Sequence, residues 1–380
     1  MPFCYAPWTN IDISPRGDIA PCCKFRHELH QHNIQNIMND DLKSYNESGL
    51  LNEIKQDFLK NQWPAGCIRC KIEEENGIES KRQLDRERWE DHYNKHNINK
   101  DGYITGSVAF GNTCNLACIT CGPGASSRWY KEHELIYSRS VKPVHFYKEN
   151  FVTDFISQCP DLIHLDISGG EPFLSGVAQQ KELLDFYIET GQAKNITIHY
   201  TTNATVYPDQ EWWSKWKKFK EIDMQLSIDG VNARYEYIRY HASWKDLEKN
   251  VDQFVQAEHH CDNLRLSVSH TLSAYNIYYL DEFFDWCKQK GLPAPWIGRV
   301  HRPAHMRFSV WPSSIKQKIV DYLSKSLNKE TLVWANFLKN TDDSEHFSKF
   351  VEKTHAHDQY RGNSFSNIFP ELQNLIKNHG

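Results

Sequence analysis

The octapeptide CNLACITC, Cys114–Cys121, places three thiols in C-x3-C-x2-C spacing. A disulfide takes two thiols, and a closed structural zinc site takes four ligands. Three thiolates can instead hold a cubane iron–sulfur cluster and leave one iron open, which can chelate a small molecule through an amine and a carboxylate. A zinc site completed by a distant His or Cys is the alternative that spacing alone leaves standing. A second stretch, LDISGGEP, ends in Gly169, Gly170, Glu171 and Pro172. Two glycines let backbone carbonyls approach a ligand closely. Glu171 adds a carboxylate that can accept a bond from an ammonium group. The alternative is a plain tight turn.

A further group of thiols lies near the N-terminus. Cys4, Gly17 and Cys22 follow C-x12-G-x4-C, and Cys67-x2-Cys70 comes after a helical stretch. Four thiols can close one site completely, and zinc and iron–sulfur are equally compatible with these spacings. Cys23 is read as a neighbour, because Cys22 satisfies the spacing. Cys159, Cys261 and Cys287 stand alone and are expected to be small buried hydrophobes.

These groups sit in a chain of 380 residues, too long for one ordinary core. The hydrophobic fraction is 39%, with no run of about 18 apolar residues that could span a membrane. MPFCYAPWTN lacks the basic start and apolar core of a signal peptide, so a cytoplasmic location is expected. In that reducing compartment, 11 cysteines point to metal or cluster ligation rather than disulfides. The net charge of −5 gives no global reason to bind nucleic acid or an anionic membrane, and neither is expected as a partner. Most of the 12 Trp are expected in packing roles.

The elements that must position the thiols follow from periodicity. Residues 1–70 read as a compact cysteine-bearing unit, with two short strands around Pro15-Arg16-Gly17 and helical pattern in LKSYNESGLLNEIKQDFLKNQ. Residues 71–101 are dense in both charges and read as a solvated connector without chemistry. From 102 to 312, strand candidates ITGSVAFG, LIHLDISGG, ITIHYTTN, MQLSID, LRLSVSHTL and WIGRVH alternate with helices. Such alternation means a parallel α/β unit. Six strands fit an open partial barrel; a doubly wound sheet is the competing arrangement, without a G-x-G-x-x-G to favour it. Residues 313–380 read as a helical, polar C-terminal extension. In this architecture reactive groups gather at the carboxyl ends of strands, where CNLACITC and SGGEP both fall. Asp166, His199, Tyr200, His270, Arg299 and His301 are the polar residues expected to line the interior near strand ends.

On these residues the chain resembles the radical S-adenosylmethionine enzymes, whose marks are C-x3-C-x2-C after the first strand and G-G-E-P after the second. TTNAT, LSIDG and the arginine in YEYIRYHASW continue the likeness over about Gly102 to Arg302. The resemblance implies a partial (β/α)6 barrel of TIM-like type. It implies that Cys114, Cys118 and Cys121 hold a [4Fe–4S] cluster and that Gly169, Gly170 and Glu171 receive the amino group of S-adenosyl-L-methionine. Ser227 and Arg239 become candidates for its carboxylate and ribose, and Asn203 for the site lining. Arg239 could equally be a surface arginine. Thr120 departs from the aromatic that relatives carry there against the adenine.

CYAPWTNIDISPRGDIAPCC with GCIRC is similar to the auxiliary-cluster domain called SPASM, or its shorter twitch form. The likeness implies that Cys4, Cys22, Cys67 and Cys70 hold an auxiliary [4Fe–4S] cluster. In familiar relatives this domain follows the barrel; here it precedes it, a permuted order. The implied activity is reductive cleavage of S-adenosylmethionine to a 5′-deoxyadenosyl radical that abstracts a substrate hydrogen, with an electron donor such as flavodoxin or ferredoxin as partner. The expected substrate is a peptide or protein undergoing oxidative modification. The alternative is a dehydrogenase or epimerase of a small carbohydrate-like or nucleotide substrate. A non-enzymatic zinc-binding interaction module is the reading from another class. No catalytic proton or hydrogen donor can be assigned from sequence.

Overall fold

The computed structural model of the protein describes residues 2–378 apart from 76, 78, 96–101, 145 and 147. The end of the expected connector lies outside the described residues. Eight strands form one sheet: β1 Asn10–Ile13, β2 Ile19–Ala20, β3 Thr105–Ala109, β4 His164–Ser168, β5 Thr197–Thr202, β6 Glu221–Ser227, β7 Leu264–Leu272 and β8 Trp296–Arg299. Their order is β2-β1-β3-β4-β5-β6-β7-β8. The sheet is therefore open, and β3 to β8 run in chain order. β3 pairs parallel with β4, β4 with β5, and β7 with β8.

Each of the six expected strands is present, because β-branched and apolar residues alternate there with smaller polar ones. The N-terminal hairpin also forms, with β1 and β2 antiparallel. The sequence pattern did not predict that β1 also pairs parallel with β3, so the hairpin extends the sheet. A four-residue strand carries no long-range signal of its partner.

Helices cover the connections. Ser243 caps Trp244–His260 by accepting the Asp246 N–H, and Asp209 caps Gln210–Trp216 by accepting from Glu211 and Trp212. Two compact units result. One comprises Met1–Thr113, Val144–Tyr200 and Pro208–Ile222, and the other Cys114–Pro143, Thr201–Tyr207 and Asp223–Gly380. In the first, Trp8, Phe25, Ile54 and Phe58 pack beneath Cys22 and Cys67. In the second, Leu272, Trp311, Ile315, Phe350 and Phe369 share one core with Ile119. The C-terminal helices are thus built into that core.

The register separates two faces. Ile13, Val108, Ile167 and Tyr200 are successive cross-strand neighbours, and all are buried. Tyr200 packs on Trp212 and Trp216 of a covering helix. One residue out of phase, Asp12, Ser107, Asp166 and His199 form a polar row on the other face. Tyr200, expected to line the polar interior, therefore belongs to the helix-covered face. His270 is likewise buried, 4.3 Å from the Phe283 ring, with Nδ1 bonded to the Ile228 carbonyl. Near a strand end, period-two alternation decides the face, and polarity alone does not.

Candidate functional site

The triplet lies on the loop that follows β3. Its backbone is held at several points. Ala117 N–H donates to the Tyr240 carbonyl at 3.0 Å and Ile119 N–H to the Ile238 carbonyl at 2.7 Å. Cys118 accepts through its carbonyl from the Trp129 indole N–H at 3.0 Å. The Leu116 amide donates to Cys114 Sγ at 3.4 Å, a contact that stabilises a thiolate and tunes a cluster. Asn203 Nδ2 lies 3.8 Å from the same sulfur and donates to Asn115 Oδ1 at 2.9 Å. Asn115 in turn donates to Thr205 at 2.8 Å. The structure thus brings Asn203 to the triplet.

Burial pushes the Cys118 thiol up to about 12 and the Cys121 thiol up to about 11. Bare thiols here stay protonated at neutral pH, so a metal centre must displace their protons. Arg239 works against that rise at both cysteines. Arg239 is buried and not a surface arginine. Its Nη2 lies 2.9 Å from Asp229, and its Nε is a buried donor with no hydrogen-bond partner. Burial opposes its charge, but the Asp229 carboxylate holds the guanidinium charged. Ser227 bonds across to Ser269 at 3.1 Å.

The turn after β4 is shaped by its glycines. Gly170 has φ +48°, and a Cβ there would meet the Thr113 carbonyl oxygen at 2.2 Å. Gly169 has φ +84°, and its Cβ would meet that of Ala109 at 2.5 Å. Glu171 N–H donates to the Thr113 carbonyl at 2.8 Å, and its side chain is fully buried. Thr113 is the residue immediately before Cys114. The close backbone approach that two glycines permit is therefore made against the chain leading into the triplet.

In the N-terminal region Cys4, Cys22, Cys67 and Cys70 line one cavity, walled by Phe25, Phe58 and Trp63. Cys23 is exposed and is not part of that lining. Burial pushes all four lining thiols up, Cys4 to about 12. Arg82 closes one side, paired with Glu74 at 2.6 Å and donating to the Phe3 carbonyl at 2.9 Å. Among the described residues, no three His, Cys, Asp or Glu side chains are gathered to hold a single metal ion. Four thiols around one pocket, and three thiols with an amide on one sulfur, fit iron–sulfur clusters.

Sequence reasoning named Asp166 and His199 as interior-lining residues but missed the polar recess they share with His164 and a helix. His164, Asp166 and His199 line it from the strands, with Lys81, Asp85 and Trp89 from the helix Lys81–Lys95. His164 Nε2 lies 3.1 Å from Asp166, and Nδ1 is buried without a partner. Burial alone would raise Asp166, but His164, His199 and Lys81 hold its carboxyl well below the usual range. Burial pushes Asp12 up to about 6, and the charge of Asp166 adds to the rise. The two carboxyls differ in proton affinity, as acid and base groups must. A signal was present: Lys81, Asp85, Trp89 and Tyr93 recur at four-residue spacing, one stripe of a helix that is otherwise mostly charged.

Comparison with known proteins bears on the N-terminal region first. Residues 4–71 match the SPASM family, described as an iron-sulfur cluster-binding domain. The match spans Cys4, Cys22, Cys67 and Cys70 and agrees with the expected N-terminal cluster domain. No curated protein matches the sequence. Among solved structures, anSMEcpe with bound AdoMet is similar at 16% identity and TM-score 0.45, over 63% of this chain and 62% of that one. anSMEcpe with bound AdoMet and Kp18Cys peptide aligns at 17% identity and TM-score 0.43, over 58% of each chain. SuiB of Streptococcus suis, bound to S-adenosylmethionine, aligns at 14% identity and TM-score 0.40, over 74% of this chain and 59% of that one. The chain thus spans about three-fifths of the length of these proteins, and the likeness is too slight to establish a shared activity. Among the described residues, no helix is long and apolar enough to cross a membrane.

Proposed function

We propose that the chain is a radical S-adenosylmethionine enzyme with an N-terminal auxiliary cluster, acting on a peptide or protein. The observation that carries the reading is the G-G-E-P turn: Gly170 and Glu171 close on the Thr113 backbone, directly ahead of three thiols one ligand short of a closed site. A zinc module requires no such turn. When bound, the cluster and S-adenosylmethionine supply a 5′-deoxyadenosyl radical through reductive cleavage of a carbon–sulfur bond. Cys114, Cys118 and Cys121 hold the cluster, the Leu116 amide moderates the charge on Cys114 Sγ, and Asn203 steadies the loop through Asn115. Gly169–Glu171 receive the cofactor's ammonium, for which a fully buried carboxylate is suited. Arg239 offers its unpartnered Nε to the carboxylate or ribose, with Asp229 fixing its fork. Ser227 is a further candidate for that end.

Cys4, Cys22, Cys67 and Cys70 hold the second cluster, which exchanges electrons with the substrate or stabilises the domain. An electron donor such as flavodoxin or ferredoxin supplies the reducing equivalents. One observation favours the alternative of a small polar substrate. The recess around Asp166 and His164 is lined mostly by polar side chains, with Lys81, Asp85 and Arg88 among them, which suits a carbohydrate-like or nucleotide ligand better than an apolar side chain.

The test is anaerobic reconstitution followed by dithionite and S-adenosylmethionine, with chromatographic detection of 5′-deoxyadenosine. Product is expected from the parent, none from C114A/C118A/C121A, and some from C67A. Stoichiometric zinc without sulfide in the parent would sink the reading in favour of the interaction module.

A further inference from the structure

The helix Phe347–Arg361 ends in a side chain that reaches the triplet loop from 244 residues away in sequence. Arg361 Nη2 donates to the carbonyl of Ala117 at 2.8 Å, inside the C-x3-C segment. Its Nε donates to Glu132 at 2.8 Å, and His357 Nδ1 meets the same carboxylate oxygen at 2.6 Å. Glu132, His357 and Arg361 are all buried. The guanidinium also lies over the Tyr240 ring at 4.5 Å and the Trp129 ring at 5.4 Å. Both rings belong to residues that themselves bond to the loop, Tyr240 at Ala117 and Trp129 at Cys118. One arginine therefore touches the loop directly and supports two of its other anchors.

A buried ion pair is weak evidence for stability, since desolvation offsets its attraction. A planar fork held by a fixed carboxylate does provide orientation. The apolar core of the C-terminal helices would anchor this helix without Arg361, because Phe350 and Phe365 already pack on Tyr275. What Arg361 adds is a fixed Ala117 carbonyl, and with it the direction in which Cys114 and Cys118 leave the loop.

We infer that Arg361, oriented by Glu132, is a positioning residue for the cluster held by Cys114, Cys118 and Cys121, so the C-terminal helix is part of the radical machinery. This rests on the proposed cluster at the triplet. It concerns how that cluster presents its open iron and leaves the N-terminal cysteines untouched.

The experiment compares the full-length parent with R361A, R361K, E132Q and T354V after anaerobic reconstitution. The readouts are iron and sulfide content, the electron paramagnetic resonance signal of the reduced cluster with and without S-adenosylmethionine, 5′-deoxyadenosine formation, and melting temperature. R361A is expected to lose about half of roughly eight irons, or to retain them with a signal that no longer shifts on adding the cofactor. R361K can still donate to Ala117 but lacks the planar fork, so it should keep the iron and recover the shift in part. E132Q frees the guanidinium and should broaden the signal. T354V removes the buried hydroxyl partner of Tyr275, at 2.8 Å on the same helix. It should lower the melting temperature while leaving the cofactor-dependent shift in place. An R361A protein with full iron, an unchanged shift and parental 5′-deoxyadenosine yield would overturn the inference, and so would T354V losing the shift as R361A does. If the parent itself shows neither shift nor product, the cluster assignment falls and the inference with it.

Discussion

A guanidinium as buried as that of Arg239 must be compensated, and Asp229 does so at 2.9 Å. Removing one partner leaves the other charge stranded. Arg239→Ala should therefore cost about 3–5 kcal/mol in addition to any loss of cofactor binding. Urea denaturation of Arg239→Ala, Asp229→Ala and the double variant separates the two effects. The double variant should recover a substantial part of that loss, and simple additivity would mean that the pair is not coupled. Asp12 permits a sharper test through pH. Its folded carboxyl titrates at about 6 against an ordinary value of 3.8, because burial disfavours the charge. The folded state then binds the proton more tightly, so Asp12 costs nothing below about pH 4, and stability falls as pH rises through 6. Asp12→Asn abolishes that titration. Relative to the parent, the variant should gain about 2–2.5 kcal/mol between pH 4 and pH 7, each pKa unit being worth ~1.4 kcal/mol. Denaturation midpoints at the two pH values check it, and parallel curves would show that Asp12 is not desolvated.

The turn after β4 is where sequence and structure agree most closely, for a steric reason. Gly170 combines φ +48° with a backbone oxygen 2.2 Å from any added Cβ. The left-handed conformation alone costs an L-residue about 1–2 kcal/mol, and a carbonyl cannot yield as a side chain can. Gly170→Ala should destabilise by more than ~2 kcal/mol and lose 5′-deoxyadenosine formation. Gly122, directly after Cys121, has open space around it and no positive φ. Gly122→Ala should leave the melting temperature within about a degree or two, near-neutral changes being usual at such positions. Equal effects at both positions would contradict the steric account. The six strands, the glycine turn and the two cysteine groups were legible because each depends on short-range pattern. The row Asp12–Ser107–Asp166–His199 was not, because it is created by register across four strands. Nor was the anchoring of Ala117 by Arg361, since nothing in HAHDQYRG distinguishes that arginine from a solvated one until the chain is folded. The helix Lys81–Lys95 was misread for a related reason: a charged face turned toward a polar recess looks in sequence like one turned toward water.

At the scale of the molecule, the two cysteine groups belong to different compact units: Cys4, Cys22, Cys67 and Cys70 to one, and Cys114, Cys118 and Cys121 to the other. Each group has its own supports. The N-terminal cavity is closed by Arg82 with Glu74 and Phe3, while the triplet is fixed through Tyr240, Ile238, Trp129 and Arg361. No residue is shared between the two sets. Metal binding at each site should therefore be separable, with free-energy changes adding as they do for independent sites. If each site holds one cubane, the reconstituted parent should carry about eight irons and eight sulfides. C114A/C118A/C121A should carry about half of each, with the remaining cluster silent toward S-adenosylmethionine because all of its irons are held by protein. C4A/C22A should also carry about half, yet retain a reduced-state signal that shifts when the cofactor is added. The decisive measurement is iron and sulfide analysis of the three proteins together with their magnetic resonance spectra. Loss of all iron from either variant would mean that one cluster is needed to build the other, and that the separation of supports seen in the fold does not extend to assembly.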